Sequence, residues 1–231
     1  MDSEMGIGSK KAKIAGHLMR RTTGEIDRMQ PSVPYFSQWE TPSMTLPVLA
    51  EGSPALLRDP LWRHSGATTI EEYARWAVNV CGMACLKSIL AARGEIHPTL
   101  ELARACTRYG GYVVNEIDAS IKGLIYAPFV RFAADRFALG AETMTGVETS
   151  AIPELLSKRR FFIASVHSAI RWPEHEPPSK GGHLVLVTAA SDEMIRFHNP
   201  SGHDAASQAD VTLPLAVFDR FFANRGISVD A

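Results

Sequence analysis

The last third of the chain contains short apolar or alternating runs that are separated by turn residues. "FFIASVH", "GGHLVLVTAA" and "MIRFHNP" are rich in β-branched and aromatic residues, which favours strands. Ser191 and Asp192 lie between the second and third runs and predict a hairpin turn. We therefore expect this part of the chain to form an antiparallel sheet.

The pattern between about Thr68 and Lys158 is helical instead. "TTIEEYARWAV" opens with a predicted capping box formed by Thr68 and Glu71, and "TLELARACTRYGG" ends on the glycine pair expected after a helix. "DASIKGLIYAPFVRFAADRF" predicts two helical pieces that are broken near Pro128. Helices followed by strands, without an internal repeat, predict the α+β class.

Two further segments precede the helical part. Residues 1–30 are polar with only short apolar pieces, so we expect a flexible N-terminal arm that is a candidate protein-binding segment. The stretch from "VPYFSQWE" to "RDPLW" is rich in Pro, Ser and Gly and predicts mostly loop after a short extended start. Residues 31–231 are expected to form a single domain.

Composition and charge exclude several classes of protein. The chain has 231 residues, of which 45% are hydrophobic and 21% are charged, as in an ordinary soluble globular protein. A formal net charge of -1, with no Lys and Arg cluster in the body of the chain, argues against a nucleic-acid partner. The three cysteines are odd in number, and neither a secretory leader nor a membrane-spanning run is recognisable. We therefore expect free thiols, a cytoplasmic location and no membrane association.

The stretch "NVCGMACLKSIL" places a cysteine at the start of a helix that is apolar on nearly every side. Asn79 is a favoured N-cap residue, which would put Cys81 in the first turn. The positive end of a helix stabilises a thiolate, so this position predicts a lowered pKa for Cys81. Free cysteine is also among the most often buried residue types, and the helix pattern alone leaves a packing role open. Cys85 and Cys106 are interpreted as core residues.

A cysteine nucleophile needs a general base and often a third group that orients this base. His183 opens the strand "HLVLVTAA", and Asn199 closes the next strand. On adjacent antiparallel strands joined by a short turn, the first residue of one strand lies beside the last residue of the other. His183 and Asn199 are therefore predicted neighbours.

Four windows of the sequence, "VPYFSQWE", "CGMACLKSIL", "GGHLVLVT" and "IRFHNPSG", occur in this order. Together they resemble the papain-like cysteine peptidases, and within them the bacteriocin-processing (double-glycine leader) peptidases and their stand-alone relatives. The resemblance extends from Val33 to Pro200. It implies a papain-like fold, in which a helical half carries the nucleophile at a helix N-terminus and packs on an antiparallel sheet.

The resemblance also implies roles for four residues. Cys81 would be the nucleophile, His183 the base, Asn199 the residue that orients the base, and Gln38 an oxyanion-hole donor. The implied activity is cleavage of a peptide or acyl substrate through a thioester acyl-enzyme, without a cofactor. Gln38 and Cys81 are further apart than in compact members of the family, so an insertion at about 41–76 is expected to form a lid or one wall of the cleft.

Other functions use the same residues. An amine that reaches the thioester before water would make the protein an acyltransferase or an amide-forming enzyme, since fold and triad do not fix the acceptor. The same fold with a silent site would be a binding module. The spacing of the histidines in the last third matches no compact zinc motif, so we expect no bound metal; they are His167, His175, His183, His198 and His203.

Overall fold

A computed structural model describes residues 33–115 and 117–230. The predicted N-terminal arm, residues 1–30, lies outside the described residues. Among the helices of the described ranges, none combines the length and the apolar character needed to cross a membrane.

The described residues contain a six-stranded sheet in which every neighbouring pair of strands is antiparallel. Its strands, in chain order, are β3 (Gly140–Thr145), β4 (Phe161–Val166), β5 (His183–Ala190), β6 (Met194–His198), β7 (Val211–Pro214) and β8 (Phe222–Asp230). They lie in the spatial order β3-β8-β4-β5-β6-β7. Two short strands, β1 (Val113–Val114) and β2 (Ile121–Lys122), pair separately.

The helices precede the sheet or lie between its strands. They are α1 (Thr45–Glu51), α2 (Ile70–Ala77), α3 (Cys81–Ala92), α4 (Thr99–Thr107), α5 (Tyr126–Phe137), α6 (Ile152–Lys158), α7 (Ala205–Gln208) and α8 (Leu215–Phe221). The fold is therefore α+β, as the sequence predicts.

The sheet is covered on both faces, and β4 shows how. Phe161 and Ile163 pack into the core formed with α2 to α5, whereas Phe162, Ala164 and Val166 face a second core closed by α6 and α8. Alternate residues of a strand point to opposite faces, so a strand between two cores is apolar at nearly every position. This explains the continuous apolar run of β4.

The strands β4, β5 and β6 lie where the sequence predicts them. The predicted hairpin is present as well, because the backbone N–H of Ser191 donates to the carbonyl of Met194 over 2.8 Å. The strands β1, β2 and β3 lie inside the segment predicted to be helical, and that prediction is wrong there. β3 pairs with β8, which is far away in sequence, and a long-range pairing of this kind leaves little local signal.

Two helix predictions also need correction. Thr69, not Thr68, caps α2, since its side chain accepts the backbone N–H of Glu72, while the Thr68 side chain donates to the Glu72 carboxylate. Pro128 does not break a helix. It lies in the first turn of α5, where a backbone N–H has no partner in the helix and its loss costs little.

The segment predicted to be mostly loop forms α1 and three 3-10 turns, Pro42–Met44, Ser53–Arg58 and Trp62–Ser65. Pro42 is the first residue of the first turn and Pro54 the second residue of the second, positions where the fixed φ angle of proline suits a helical turn. Asp59 is buried and accepts hydrogen bonds from the Leu61 backbone N–H and the Thr41 hydroxyl. The buried carboxylate thereby links the chain at Thr41 to the turn at Leu61.

Candidate active site

Cys81 and His183 line the same cleft, which has a volume of about 320 Å³. Cys81 is the first residue of α3, and His183 is the first residue of β5. Within the described residues, no hydrogen bond joins the thiol to the imidazole. The fold therefore brings a candidate nucleophile and a candidate base to one cavity.

The start of α3 differs from the prediction at its cap. The N-cap position is Val80, and the side chain of Asn79 instead donates to the backbone carbonyl of Arg75 over 3.2 Å. Arg75 lies in the last turn of α2, so the end of that helix takes the amide that was expected to cap α3. The prediction of Asn79 as N-cap is wrong, although the position of Cys81 in the first turn is right.

Gly82 allows the helix start to pack tightly. A Cβ atom at this position would lie 2.6 Å from Leu124 Cδ2 and 3.0 Å from Leu184 Cδ1. Real Cβ atoms are essentially never found at 2.6 Å from a neighbour, so a larger residue at position 82 would displace the Leu124 side chain. The contact between Gly82 and Leu184 seats α3 directly against β5.

Burial raises the pKa of the Cys81 thiol above its ordinary value, while the backbone N–H groups of Leu184 and Gly82 act in the opposite direction. The predicted lowering of this pKa is wrong, because desolvation outweighs the donors at the helix start. Burial raises the pKa of Cys85 as well, and that of Cys106 to about 12. Cys81 differs from both in being only partly buried.

The predicted neighbours His183 and Asn199 are in contact. His183 Nε2 lies 2.9 Å from Asn199 Oδ1, and the backbone N–H of Ser201 donates to the same oxygen over 3.2 Å. Because a backbone N–H can only donate, the atom that faces Ser201 must be the amide oxygen and not the amide nitrogen. An amide oxygen only accepts, so His183 Nε2 must carry the donated proton. The proton of the neutral imidazole therefore lies on Nε2, which leaves the lone pair of Nδ1 to act as a base.

Two residues that sequence reasoning missed complete this group. The hydroxyl of Ser201 lies 3.2 Å from His183 Nε2. The buried guanidinium of Arg171 donates to the Ser201 hydroxyl over 2.6 Å and to the Ser201 carbonyl over 3.1 Å. Ser201 could have been noticed as part of the "HNPSG" window. Arg171 ends the 3-10 turn Ser168–Arg171, 12 residues before His183, and nothing in the sequence around it predicts the contact with Ser201.

The surroundings of His183 hold its imidazole neutral. Burial lowers the pKa of His183 to about 4, the hydrogen bond to Asn199 acts against this shift, and the charges of Arg171 and His167 add to it. A positive charge close to a buried imidazole disfavours the protonated form. His183 is therefore a neutral proton acceptor from weakly acidic pH upward.

Gln38 is buried and is not among the residues that line the cleft. Its side-chain Nε2 donates to the carbonyl of Ala77 over 3.1 Å, and its backbone N–H donates to the carbonyl of Pro200 over 2.9 Å. In the same segment, the Tyr35 hydroxyl donates to the carbonyl of Asn199 over 3.1 Å. The windows "VPYFSQ" and "HNP" thus form one hydrogen-bonded unit, and the role of Gln38 as an oxyanion donor stays a prediction.

His198 has a separate environment, as expected from alternation along β6. Its Nε2 bonds the carbonyl of Val33 over 2.8 Å, and its Nδ1 accepts the backbone N–H of Asp210 over 3.0 Å. Both ring nitrogens are therefore occupied outside the cleft. In the described ranges, no three His, Cys, Asp or Glu side chains are placed to hold a metal ion.

Comparisons with known proteins find likeness at the level of structure alone. No protein-family model matches the chain, and no curated protein matches it in sequence. Solved structures that it resembles include the peptidase domain of Streptococcus ComA, a bi-functional ABC transporter, with 15% identity over 66% of this chain and 92% of that chain, and a TM-score of 0.46.

Two further structures are similar. A C39-like peptidase from Bacillus anthracis is 14% identical over 66% of this chain and 89% of that chain, with a TM-score of 0.49. A double glycine motif protease from an AMS/PCAT transporter, solved with its leader peptide, is 18% identical over 64% of this chain and 82% of that chain, with a TM-score of 0.40. The structural neighbours are peptidase domains of the family that the motifs resemble. At these identities and TM-scores, we take neither an activity nor a residue role from them.

The environment of His183 predicts a pH dependence of stability. Between pH 6.5, the ordinary imidazole pKa, and about pH 4, the unfolded chain binds a proton at this residue that the folded chain does not bind. The free energy of unfolding should therefore decrease as the pH falls from 6.5 to about 4, because protons bind the unfolded chain at His183 and not the folded one. Urea unfolding at several pH values measures this decrease. In His183→Gln, the free energy of unfolding should depend less steeply on pH over the same range.

Nuclear magnetic resonance tests the same prediction at the residue itself. The His183 imidazole should remain neutral down to about pH 4, and Arg171→Gln should raise its pKa because a nearby positive charge is removed. A His183 resonance that titrates near pH 6.5 in the parent protein would contradict the described environment.

Proposed function

We propose that this protein is a cysteine peptidase that cleaves peptide or amide bonds through a thioester acyl-enzyme. Cys81 is the nucleophile, His183 the base, and Asn199 the residue that orients the base. The observation that carries the proposal is the cleft shared by Cys81 and His183, in which the bond from Nε2 to Asn199 leaves Nδ1 of the imidazole free. The three free cysteines suit a reducing compartment such as the cytoplasm.

The first chemical step is proton transfer coupled to attack. Burial disfavours both the thiolate of Cys81 and the imidazolium of His183, so the resting pair is a neutral thiol and a neutral imidazole. His183 Nδ1 takes the thiol proton as the sulfur attacks the carbonyl carbon of the substrate. The carbonyl becomes an oxyanion, and a carbon–sulfur bond forms.

The second step releases the amine. Imidazolium His183 gives its proton to the leaving nitrogen, the carbon–nitrogen bond breaks, and a thioester remains on Cys81. Water then gives a proton to Nδ1 and attacks the thioester. The carboxylic acid leaves, and the proton returns to the sulfur.

Stabilisation of the oxyanion is assigned to two N–H groups, the backbone N–H of Cys81 and the side-chain N–H of Gln38. The amide of Gln38 has two N–H donors, and the bond to Ala77 uses one of them. The second N–H is the one assigned to the oxyanion, and this assignment requires Gln38 to move towards the cleft when substrate binds, since the residue does not line it in the unbound protein. Such a donor typically contributes about a hundredfold to the rate.

Thiol reactivity and turnover test the nucleophile. Cys81 should react with iodoacetamide before the fully buried Cys85 and Cys106, and it should do so at mildly alkaline pH, since its pKa is raised. Mass spectrometry of the digested protein identifies the labelled thiol. Cys81→Ser should lose the burst of p-nitrophenol release from p-nitrophenyl acetate.

Cys85→Ala is the matched control, because this thiol lies on the same helix but does not line the cleft. The variant should keep the burst. A parent protein in which all three thiols react equally slowly, or a Cys81→Ser variant that retains the burst, would remove Cys81 from the mechanism.

Gln38→Ala tests the oxyanion donor. We expect the acylation rate constant to fall by about a hundredfold while substrate binding changes little. Tyr35→Phe serves as the control, since it removes another hydrogen bond of the same segment without removing a donor from the reaction. Equal rate losses in the two variants, with equal losses of stability in urea, would show that Gln38 acts only on the structure.

A further inference from the structure

The cleft that contains Cys81 has an unbalanced charge. Lys122 of β2 lines it on the side of the helical half, and Arg225 of β8 lines it on the side of the sheet. None of the described residues lining the cleft is an aspartate or a glutamate. Within residues 33–115 and 117–230, neither cation forms an ion pair or a hydrogen bond, and both side chains are exposed. The cleft is therefore positively charged on both walls.

A buried hydroxyl lies beside one of these cations. Ser165 is only 2% exposed and lines the cleft, and no hydrogen bond within the described part of the chain uses its hydroxyl. A Cβ atom at Gly181 would lie 3.3 Å from Ser165 Oγ and 3.2 Å from Arg225 Nη2. Ser165 Oγ and Arg225 Nη2 therefore both lie beside Gly181, and both residues line the cleft together with Gly182.

Ser165 lies near the candidate base in the sheet, because it pairs with Leu184, the residue after His183. Gly181 and Gly182 have φ angles of +89° and +93°, a conformation that glycine adopts without strain, and His183 follows them directly. A group that binds to Ser165 and Arg225 therefore lies in the same cleft as the Cys81 thiol and the His183 imidazole.

We propose that the part of the cleft lined by Ser165 and Arg225 is a subsite for a carboxylate of the substrate. A guanidinium and a hydroxyl together supply donors for the two oxygens of a carboxylate, and Lys122 adds positive charge from the opposite wall. The preferred substrate is therefore a peptide with a carboxylate close to the cleaved bond. This specificity rests on the proposed peptidase function, whereas the subsite itself does not.

Alkylation of Cys81 tests the subsite without any substrate. Iodoacetate and iodoacetamide have the same leaving group, and they differ in carrying a carboxylate or a neutral amide. Mass spectrometry gives the rate constant of each reagent at Cys81. The rate constant for iodoacetate divided by that for iodoacetamide should fall by about three- to tenfold in Arg225→Gln and by a smaller factor in Lys122→Gln. Added salt should lower the ratio in the parent protein towards that of the variants.

Arg131→Gln is the matched control, since Arg131 is exposed on α5 and does not line the cleft. It should leave the ratio unchanged. A ratio in Arg225→Gln equal to that of the parent protein would overturn the subsite, because Arg225 would then be an ordinary solvated charge.

Peptide cleavage identifies the source of the carboxylate. One pair of peptides has Asp or Glu, or else Asn or Gln, next to the scissile bond; a second pair has a free or an amidated C-terminus close to that bond. The subsite is supported if the parent protein cleaves one of the acidic forms faster, if Arg225→Gln loses this preference, and if Arg225→Glu prefers Lys instead. Cleavage without such a preference overturns it.

The two proposals fail separately. If no peptide is cleaved but iodoacetate retains its Arg225-dependent advantage, the peptidase function is wrong and the anion subsite stands. If peptides are cleaved and the alkylation ratio does not depend on Arg225, the function stands and the subsite is wrong.

Discussion

The hydrogen bond between His183 Nε2 and Asn199 Oδ1 is the contact on which the candidate active site depends. It fixes the proton on one ring nitrogen and leaves the other with a lone pair. The antiparallel pairing of β5 with β6 brings the two residues together, and the segment at Tyr35 and Gln38 holds the chain around Asn199 and Pro200 in place. Four segments that are distant in sequence therefore contribute residues to the candidate site or hold those residues in position.

Burial controls the electrostatics of this arrangement. A buried ion pair pays for the desolvation of two charges, so a neutral thiol and a neutral imidazole are the natural resting state of Cys81 and His183. Charge develops only when the sulfur attacks.

Much of the fold could be predicted from local pattern. Strands β4 to β6 follow from their apolar runs, and the contact between His183 and Asn199 follows from strand pairing and a short turn. Contacts that depend on which distant part of the chain a polar side chain binds could not be predicted. The Asn79 amide binds the Arg75 carbonyl at the end of α2, and the 3-10 turn that carries Arg171 reaches Ser201 only in the folded protein. The raised pKa of Cys81 likewise depends on how completely the fold closes over the helix start.

The central claim is that His183 takes the proton of Cys81, and chemical rescue tests it most directly. Single-turnover acylation by p-nitrophenyl acetate should be nearly abolished in His183→Ala and partly restored by added imidazole, which can enter the space that the side chain leaves. Asn199→Ala should retain a measurable fraction of the rate, because it disturbs only the orientation of the ring. Acylation of His183→Ala at the parent rate, with no response to imidazole, would contradict the account.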